Sequence, residues 1–413
     1  MHTLAERFSD KDKAYPSTVD NLLITLTIAI TTMAPIRTAI IGLSGNAITS
    51  WASAAHLPYL LSARGREKYQ IVALCNSSVE AAKRAIEVFK LPPETKAYGD
   101  PQSVADDKDI DLVVVSTRVD VHHSSALPSV KAGKDVFVEW PLAQDVAHAK
   151  ELVDAARAAG GRTLVGHQGR EAPPVVKVRQ LIEQGTIGKI LSSEIRAYGG
   201  AVDRESLRPG LKYFLEKKVG GNIVTIGVGH LFDQIQSVIG DLQNIQPHLQ
   251  LQRPNVLLRD SATKEVVEVV KSDVPDLIIF NGTLAASQKA VEGANVLFRF
   301  RRGQAFPGEP GLTWAINGEK GEIRLQAFSG ATLHANSYDA PVTIEVHDFA
   351  SDKVQKVDWS WQDWQEALPV VGRSIAVLYD KFADGAFEGQ PTFETALVRH
   401  EQLETILADW NPK

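Results

Sequence analysis

The ten residues Thr38–Ala47, TAIIGLSGNA, decide how this chain is read. A short apolar run, Thr38–Ile41, enters a loop bearing Gly42, Ser44 and Gly45, and residues 52–63 beyond it have a helical pattern. Strand, glycine turn and helix in that order open a doubly wound parallel sheet. In such a turn glycine lets the backbone approach a pyrophosphate, and the helix start supplies free N–H groups and a positive dipole end. Gly42 and Gly45 stand three apart, not two, and no third glycine follows closely. The loop therefore reads both as a nucleotide cradle and as a tight structural turn.

Outward from this loop the same rhythm repeats. Ile71–Cys75, Asp111–Ser116, Asp135–Glu139 and Arg162–Gly166 read as buried strands, and Val79–Phe89, His122–Ala132 and Gln144–Ala159 as helices between them. The last places Val146, Ala149, Leu152, Val153 and Ala156 at helical spacing and is closed by Gly160. Continuous apolar strands alternating with helices predict a parallel sheet covered on both faces.

From Ile187 the texture changes. Ile190–Tyr198, Glu265–Lys271, Leu277–Thr283, Ala294–Arg301, Leu312–Asn317 and Glu322–Ala327 are strand-like. Val296, Phe298 and Phe300 alternate with Leu297, Arg299 and Arg301, the pattern of an open, mainly antiparallel sheet with one solvated face. Leu231–Gly240, Trp364–Asp384 and Phe393–Trp410 read as helices. The expected organisation is α/β. Residues 1–34 form an unpacked extension, 35–167 a Rossmann dinucleotide-binding domain, and 168–413 an α/β substrate and oligomerisation domain with a large open sheet. The final helices are expected to pack back on the first domain.

Composition narrows the function. The formal charge of the 413 residues is −6, which argues against nucleic acid as a direct partner. The single cysteine, Cys75, excludes an internal disulfide framework, and no metal-ligand spacing occurs, so no metal is expected. Leu22–Ile30 is far short of the ~20 apolar residues of a membrane span. The acids around it are unlike a secretory signal. The expected location is cytoplasmic, with nuclear access if the chain is a regulator.

Five motifs then line up: DLVVVST with His122, AGKDVFVEWP (132–141), LIEQGTIGKI (181–190), GGNIVTIGVGHLFD (220–233) and PTFETALVRHEQL (391–403). As an ordered set they resemble the glucose–fructose oxidoreductase / inositol dehydrogenase family over most of the chain. Gly42–Leu60, FVEWPLA (137–143), QGR (168–170) and PDLIIFNGTL (275–284) are similar to a fungal branch containing the yeast galactose/lactose regulatory repressors. The resemblance implies NAD or NADP bound between two domains. The candidate contacts are Gly42, Ser44, Gly45, Asn76, Ser77, Ser116, Thr117, His122 and Glu139. The second strand ends Cys75-Asn76-Ser77-Ser78, with no acid to grip a ribose 2′-hydroxyl and with Lys83 and Arg84 nearby, which leans towards NADP.

The resemblance also locates the chemistry. The family's Glu-Lys-Pro is here Glu139-Trp140-Pro141, and its Asp-x-x-x-His is represented by Ile226 and His230. A positioned acid–base group contributes ~10²–10⁴-fold, so loss of both lysine and aspartate leaves His230 as the candidate catalytic group. Asp233 and Gln234 lie on its side of the helix as candidate orienting neighbours. Trp140 is expected in the cleft, against nicotinamide or an apolar substrate. His167, Gln168 and Arg170 are candidates for its lining. Two functions follow. One is an NAD(P)-dependent oxidoreductase acting on a small-molecule carbonyl, hydroxyl or conjugated substrate, in the manner of fungal specialised metabolism. The other is a non-catalytic NAD(P)-binding transcriptional regulator with a protein partner. A homodimer or higher homo-oligomer is expected by resemblance.

Overall fold

Residues Ile36–Ile41 form β1, and five further strands line up beside it: β2 (Tyr69–Cys75), β3 (Lys96–Tyr98), β4 (Leu112–Val115), β5 (Asp135–Val138) and β6 (Thr163–Val165). All are parallel, in the order β3-β2-β1-β4-β5-β6. This is the doubly wound arrangement, and its topological switch point lies between β1 and β4. The structure is a computed structural model describing residues 34–45, 50–199, 203–335 and 337–412. The extension expected over residues 1–34 lies outside the described residues, apart from Ala34.

The strands are apolar throughout because both faces are covered. Ala39, Ile41, Val113, Val115, Val136 and Val138 pack with the helices His122–Lys131 and Val146–Ala159. On the opposite face Ile40, Leu112, Val114, Phe137 and Leu164 meet Ile375, Leu378, Tyr379 and Phe382 of a helix near the C-terminus, Val370–Ala383. The helix expected over Trp364–Asp384 is two helices, Asp363–Glu366 and Val370–Ala383. Pro369 stands at the N-cap of the second, and a proline there forces the residue before it out of helical geometry. The segment expected as one helix over 52–63 is a π-helix, Ala52–His56, continued by Leu57–Leu60 and followed by Ala63–Lys68.

The second half contributes β7 (Ile190–Gly199), β8 (Ser206–Leu207), β9 (Leu242–Gln250), β10 (Asn255–Arg259), β11 (Val266–Lys271), β12 (Leu277–Leu284), β13 (Ala290–Arg302), β14 (Leu312–Gly318), β15 (Gly321–Ala327), β16 (Val342–Asp348) and β17 (Lys353–Val357). Eight of them form one sheet, β17-β16-β15-β14-β7-β13-β12-β9, antiparallel except where β7 meets β13. Its inner face is apolar. Phe280 and Phe298 stack at 4.6 Å, and Phe232 of the helix Gly229–Ile239 meets both edge-on. Each such ring contributes roughly 1.5–3 kcal/mol by leaving water, which fixes this helix on the sheet and with it the position of His230.

Candidate functional site

The site is built where the carboxyl ends of β1, β4 and β5 open. Gly42 follows β1 with φ +101°, a conformation that glycine adopts without strain. A Cβ there would lie 2.4 Å from the Ser116 carbonyl oxygen and 2.7 Å from Thr117 Cγ2, so the turn from β1 lies directly against the end of β4. A tight glycine turn directly after the first strand is the kind of turn a pyrophosphate-binding loop uses, and Gly42 supplies it. The rest of the loop, 46–49, lies outside the described residues. Asn76, at the end of β2, donates from Nδ2 to the Leu43 carbonyl at 2.9 Å and so holds the loop. Ser77 beside it is exposed, as are Lys83 and Arg84. Ser78 caps the next helix by accepting from the Ala81 N–H.

His122 has a different task from the cofactor contact expected of it. Its ring sits between two carbonyl oxygens, Pro141 O 2.8 Å from Nδ1 and Thr117 O 3.0 Å from Nε2. Whichever nitrogen bears the proton donates to the backbone, and the ring ties the loop after β4 to the loop after β5. Burial depresses its pKa. Glu139 is likewise engaged. His56 Nε2–H donates to its Oε1 at 2.8 Å, while the Tyr379 hydroxyl donates to His56 Nδ1 at 2.7 Å. This buried chain joins the end of β5 to the helix Val370–Ala383, and the sequence pattern assigned no role to His56 or Tyr379.

Trp140 does not line an open cleft as expected. It is 4% exposed, and its indole N–H donates to the Thr225 carbonyl at 2.7 Å. The ring packs between His167, with centroids 4.0 Å apart, and His400, at 4.7 Å. Gly229 allows this: a Cβ there would come within 2.7 Å of the indole nitrogen. Beyond His400 a cavity of about 590 Å³ opens between the start of the helix Val146–Ala159, the turn Asn222–Thr225 and the helix Phe393–Leu407.

His230 stands in the first turn of Gly229–Ile239, and Leu231, Ile235, Val238 and Ile239 are buried as the helical stripe requires. Its ring is edge-on to His167 at 5.9 Å and stacked on His334 at 4.3 Å. The Nδ1 atoms of His230 and His334 and both ring nitrogens of His167 are buried without a hydrogen-bond partner. Burial lowers the pKa of His167 and of His230 to about 3, and that of His334 well below its usual value, so all three rings are neutral near pH 7. His334 was missed because it lies in an irregular loop after β15, far from every motif.

Asp233 does not orient His230. It accepts two bonds from Arg170, Nε at 2.7 Å and Nη2 at 2.6 Å, and one from Arg399 at 3.3 Å. His167 Nδ1 lies 3.4 Å from it. Burial opposes its ionisation, but Arg170 and its neighbours outweigh that and hold the carboxyl well below the usual range. Among the described residues no group of three or more histidine, cysteine, aspartate or glutamate side chains is arranged to hold a metal, and no helix is long and apolar enough to cross a membrane.

Comparison with known proteins agrees with this architecture. Residues 36–167 match the family described as an oxidoreductase family with an NAD-binding Rossmann fold, and 173–327 match the C-terminal domain of Gal80p. A dehydrogenase, aclE, of Aspergillus oryzae is 29% identical over 373 residues, spanning 90% of this chain and 95% of its own. The galactose/lactose metabolism regulatory protein GAL80 of Saccharomyces cerevisiae is 27% identical, spanning 90% and 92%. Among solved structures, a super-repressor mutant of that Gal80p superposes with a TM-score of 0.79 at 26% identity, covering 91% of this chain and 95% of the other. Levoglucosan dehydrogenase in complex with NADH and levoglucosan shares the fold, with a TM-score of 0.69 at 20% identity and 92% and 98% coverage. The parallel sheet thus lies in the region matching the oxidoreductase family with an NAD-binding Rossmann fold, and much of the large sheet in the region matching the Gal80p C-terminal domain.

Proposed function

We propose that this chain is an NAD(P)-dependent oxidoreductase acting on a small-molecule carbonyl, hydroxyl or conjugated substrate, as in fungal specialised metabolism. Trp140 and Ile226 stand where the family's lysine and aspartate would. The observation that carries the reading is the row of buried, neutral imidazoles, His167, His230 and His334, whose unpartnered nitrogens lie beside the carboxyl edge of the Rossmann sheet. Buried polar atoms without partners call for a ligand or water. Gly42, Ser44 and Gly45 would hold the pyrophosphate, with Ser116 and Thr117 against it. Asn76, His122 and Glu139 would act by fixing the loops around it. The absence of an acid among Asn76, Ser77 and Ser78, with Lys83 and Arg84 exposed nearby, favours NADP.

A bound nicotinamide supplies or accepts hydride; the protein's part is alignment and polarisation. A neutral imidazole is suited to the latter. His230 offers an N–H to the substrate oxygen on which charge develops, the role of a neutral electrophilic histidine rather than of an imidazolium acid. Trp140 backs His167 and keeps that side of the site dry. The open outer face of the eight-stranded sheet supports a homo-oligomer, and the location is cytoplasmic.

One observation favours a second reading, a non-catalytic NAD(P)-binding regulator with a protein partner: neither Trp140 nor Ile226 can exchange a proton. The deciding experiment loads the protein with NADPH or NADH deuterated at nicotinamide C4 and searches a host metabolite extract for a labelled product. Label that appears with wild type and falls by about 10²-fold or more in His230→Ala supports the enzyme. Tight cofactor binding with no label transferred from either cofactor refutes it in favour of the regulator.

A further inference from the structure

We propose that the arginines at one end of the eight-stranded sheet form a site for a doubly charged oxyanion of the phosphate class, held by Arg204, Arg299 and Arg301 with Arg253 beside them. The site uses none of the residues of the glycine turn or of the histidine row, and it rests on neither functional reading. Arg299 and Arg301 alternate on β13 with the buried Phe298, Phe300 and Arg302, so both reach the outer face of the sheet. Both stand over one ring of β7: the Cζ of Arg301 lies 4.9 Å and that of Arg299 5.7 Å from the centroid of Tyr198. The register places Arg196 of β7 directly opposite Arg299. After β13 the chain turns at Gly303, φ +87°, where a Cβ would lie 2.5 Å from Arg204 Cβ, so Arg204 is brought against the end of that strand. Arg301 Nη2 donates to the Gln304 carbonyl at 2.8 Å, and Arg204 Nε to the Gln304 side-chain oxygen at 3.3 Å, which gathers the two guanidiniums around one residue.

Like charges set side by side on a sheet repel, and little here offsets them. Burial lowers the pKa of Arg301; Tyr198 opposes that, and Arg299, Arg204 and Arg253 add to it. The carboxylates of this corner are engaged elsewhere. Glu309 pairs with Arg196 at 2.9 Å. Asp203 accepts from the N–H groups of Glu205 and Ser206 and from Gln304, and Asp276 from the N–H groups of Gln252 and Arg253. Glu194 and Glu205 are the exposed acids beside the cluster, and neither side chain bonds to it. Among the described residues Arg204, Arg253, Arg299 and Arg301 have no ion-pair partner. Four guanidiniums without a counter-ion are relieved by an anion, and their planar forks match the oxygens of phosphate. Charge number decides between anions: a carboxylate brings one charge, a phosphate close to two near neutral pH. The four arginines are half-buried or exposed on an open face, so the anion reaches them without any opening of the core.

The test titrates the full chain with inorganic phosphate at pH 8 and constant ionic strength, by isothermal calorimetry, with acetate as the singly charged control. Phosphate is expected to bind saturably, and acetate at least about tenfold more weakly. Arg299→Gln with Arg301→Gln should weaken phosphate by about tenfold or more, the loss of one or two charge-assisted hydrogen bonds. Arg204→Gln alters an exposed side chain and leaves the core untouched, and should weaken it by about three- to tenfold. Arg299→Lys with Arg301→Lys keeps the charge without the fork and should fall between wild type and the glutamine pair. Phosphate held at the glycine turn would survive all of these substitutions and so overturn the proposal. Equal responses to phosphate and acetate, which is screening alone, would overturn it as well. Self-association lost in the glutamine pair, with no phosphate bound by wild type, would also overturn it and give this face to a second copy of the chain.

Discussion

Replacing Asp233 with asparagine keeps the side chain's shape and removes one buried charge. Asp233 is 1% exposed, and its two oxygens take a forked pair of bonds from Arg170 and one from Arg399. Arg399 keeps Asp241 and Gln402 after the change, whereas Arg170 keeps only the Gly389 carbonyl at 3.3 Å. Breaking a buried pair and stranding one ion costs about 3–5 kcal/mol. Because one of the two arginines retains a carboxylate, the lower end of that range is expected, about 3 kcal/mol. Equilibrium urea unfolding followed by tryptophan fluorescence measures it. The second arm is the double variant Asp233→Leu with Arg170→Met, which removes both ions and should recover most of the loss, since apolar replacement of a buried pair is commonly neutral. A single-variant cost below about 1 kcal/mol, or a double variant no more stable than the single, would refute the assignment of Asp233 to the arginines. A large fall in turnover at unchanged stability would return it to the orienting role beside His230.

Gly42→Ala places a Cβ 2.4 Å from a carbonyl oxygen at a φ of +101°, so the turn must move. The expected result is a stability loss of about 1–3 kcal/mol and a fall in NADPH affinity of at least about tenfold by fluorescence titration. The buried histidines predict a pH dependence. His167 and His230 are pushed down to about 3 and His400 to about 4 by burial, while the unfolded chain takes up protons near pH 6.5. The unfolded state therefore binds more protons below that value. Stability from these groups is full above pH 6.5 and is lost as pH falls towards 3–4, by about 1.4 kcal/mol per unit for each ring. Urea midpoints from pH 8 to 4 check the sign, and a midpoint that rises on acidification contradicts it.

Much of the fold was legible in the sequence because burial on both faces leaves an unbroken apolar run, as in Leu112–Val115. The turn at Gly42 was legible because a glycine directly follows such a run and a second stands three residues on. The strands β3, β8, β9, β10, β16 and β17 were not anticipated. β9 is mostly exposed and β17 carries lysines at its edge, so neither shows the alternation that burial imposes. His230 was found by alignment of motifs, and its environment was not.

The sequence by itself determined the order of elements, the glycine turn at the switch point and the residue types at the carboxyl edge, since these follow from local patterns of apolarity and backbone freedom. Only the tertiary structure decided which side chains meet. Trp140 turns inward because Gly229 leaves room for an indole. Asp233 faces two arginines from distant segments, and a histidine from the loop after β15 arrives against His230. Such contacts join residues far apart in the chain, and no period of two or 3.6 residues encodes them.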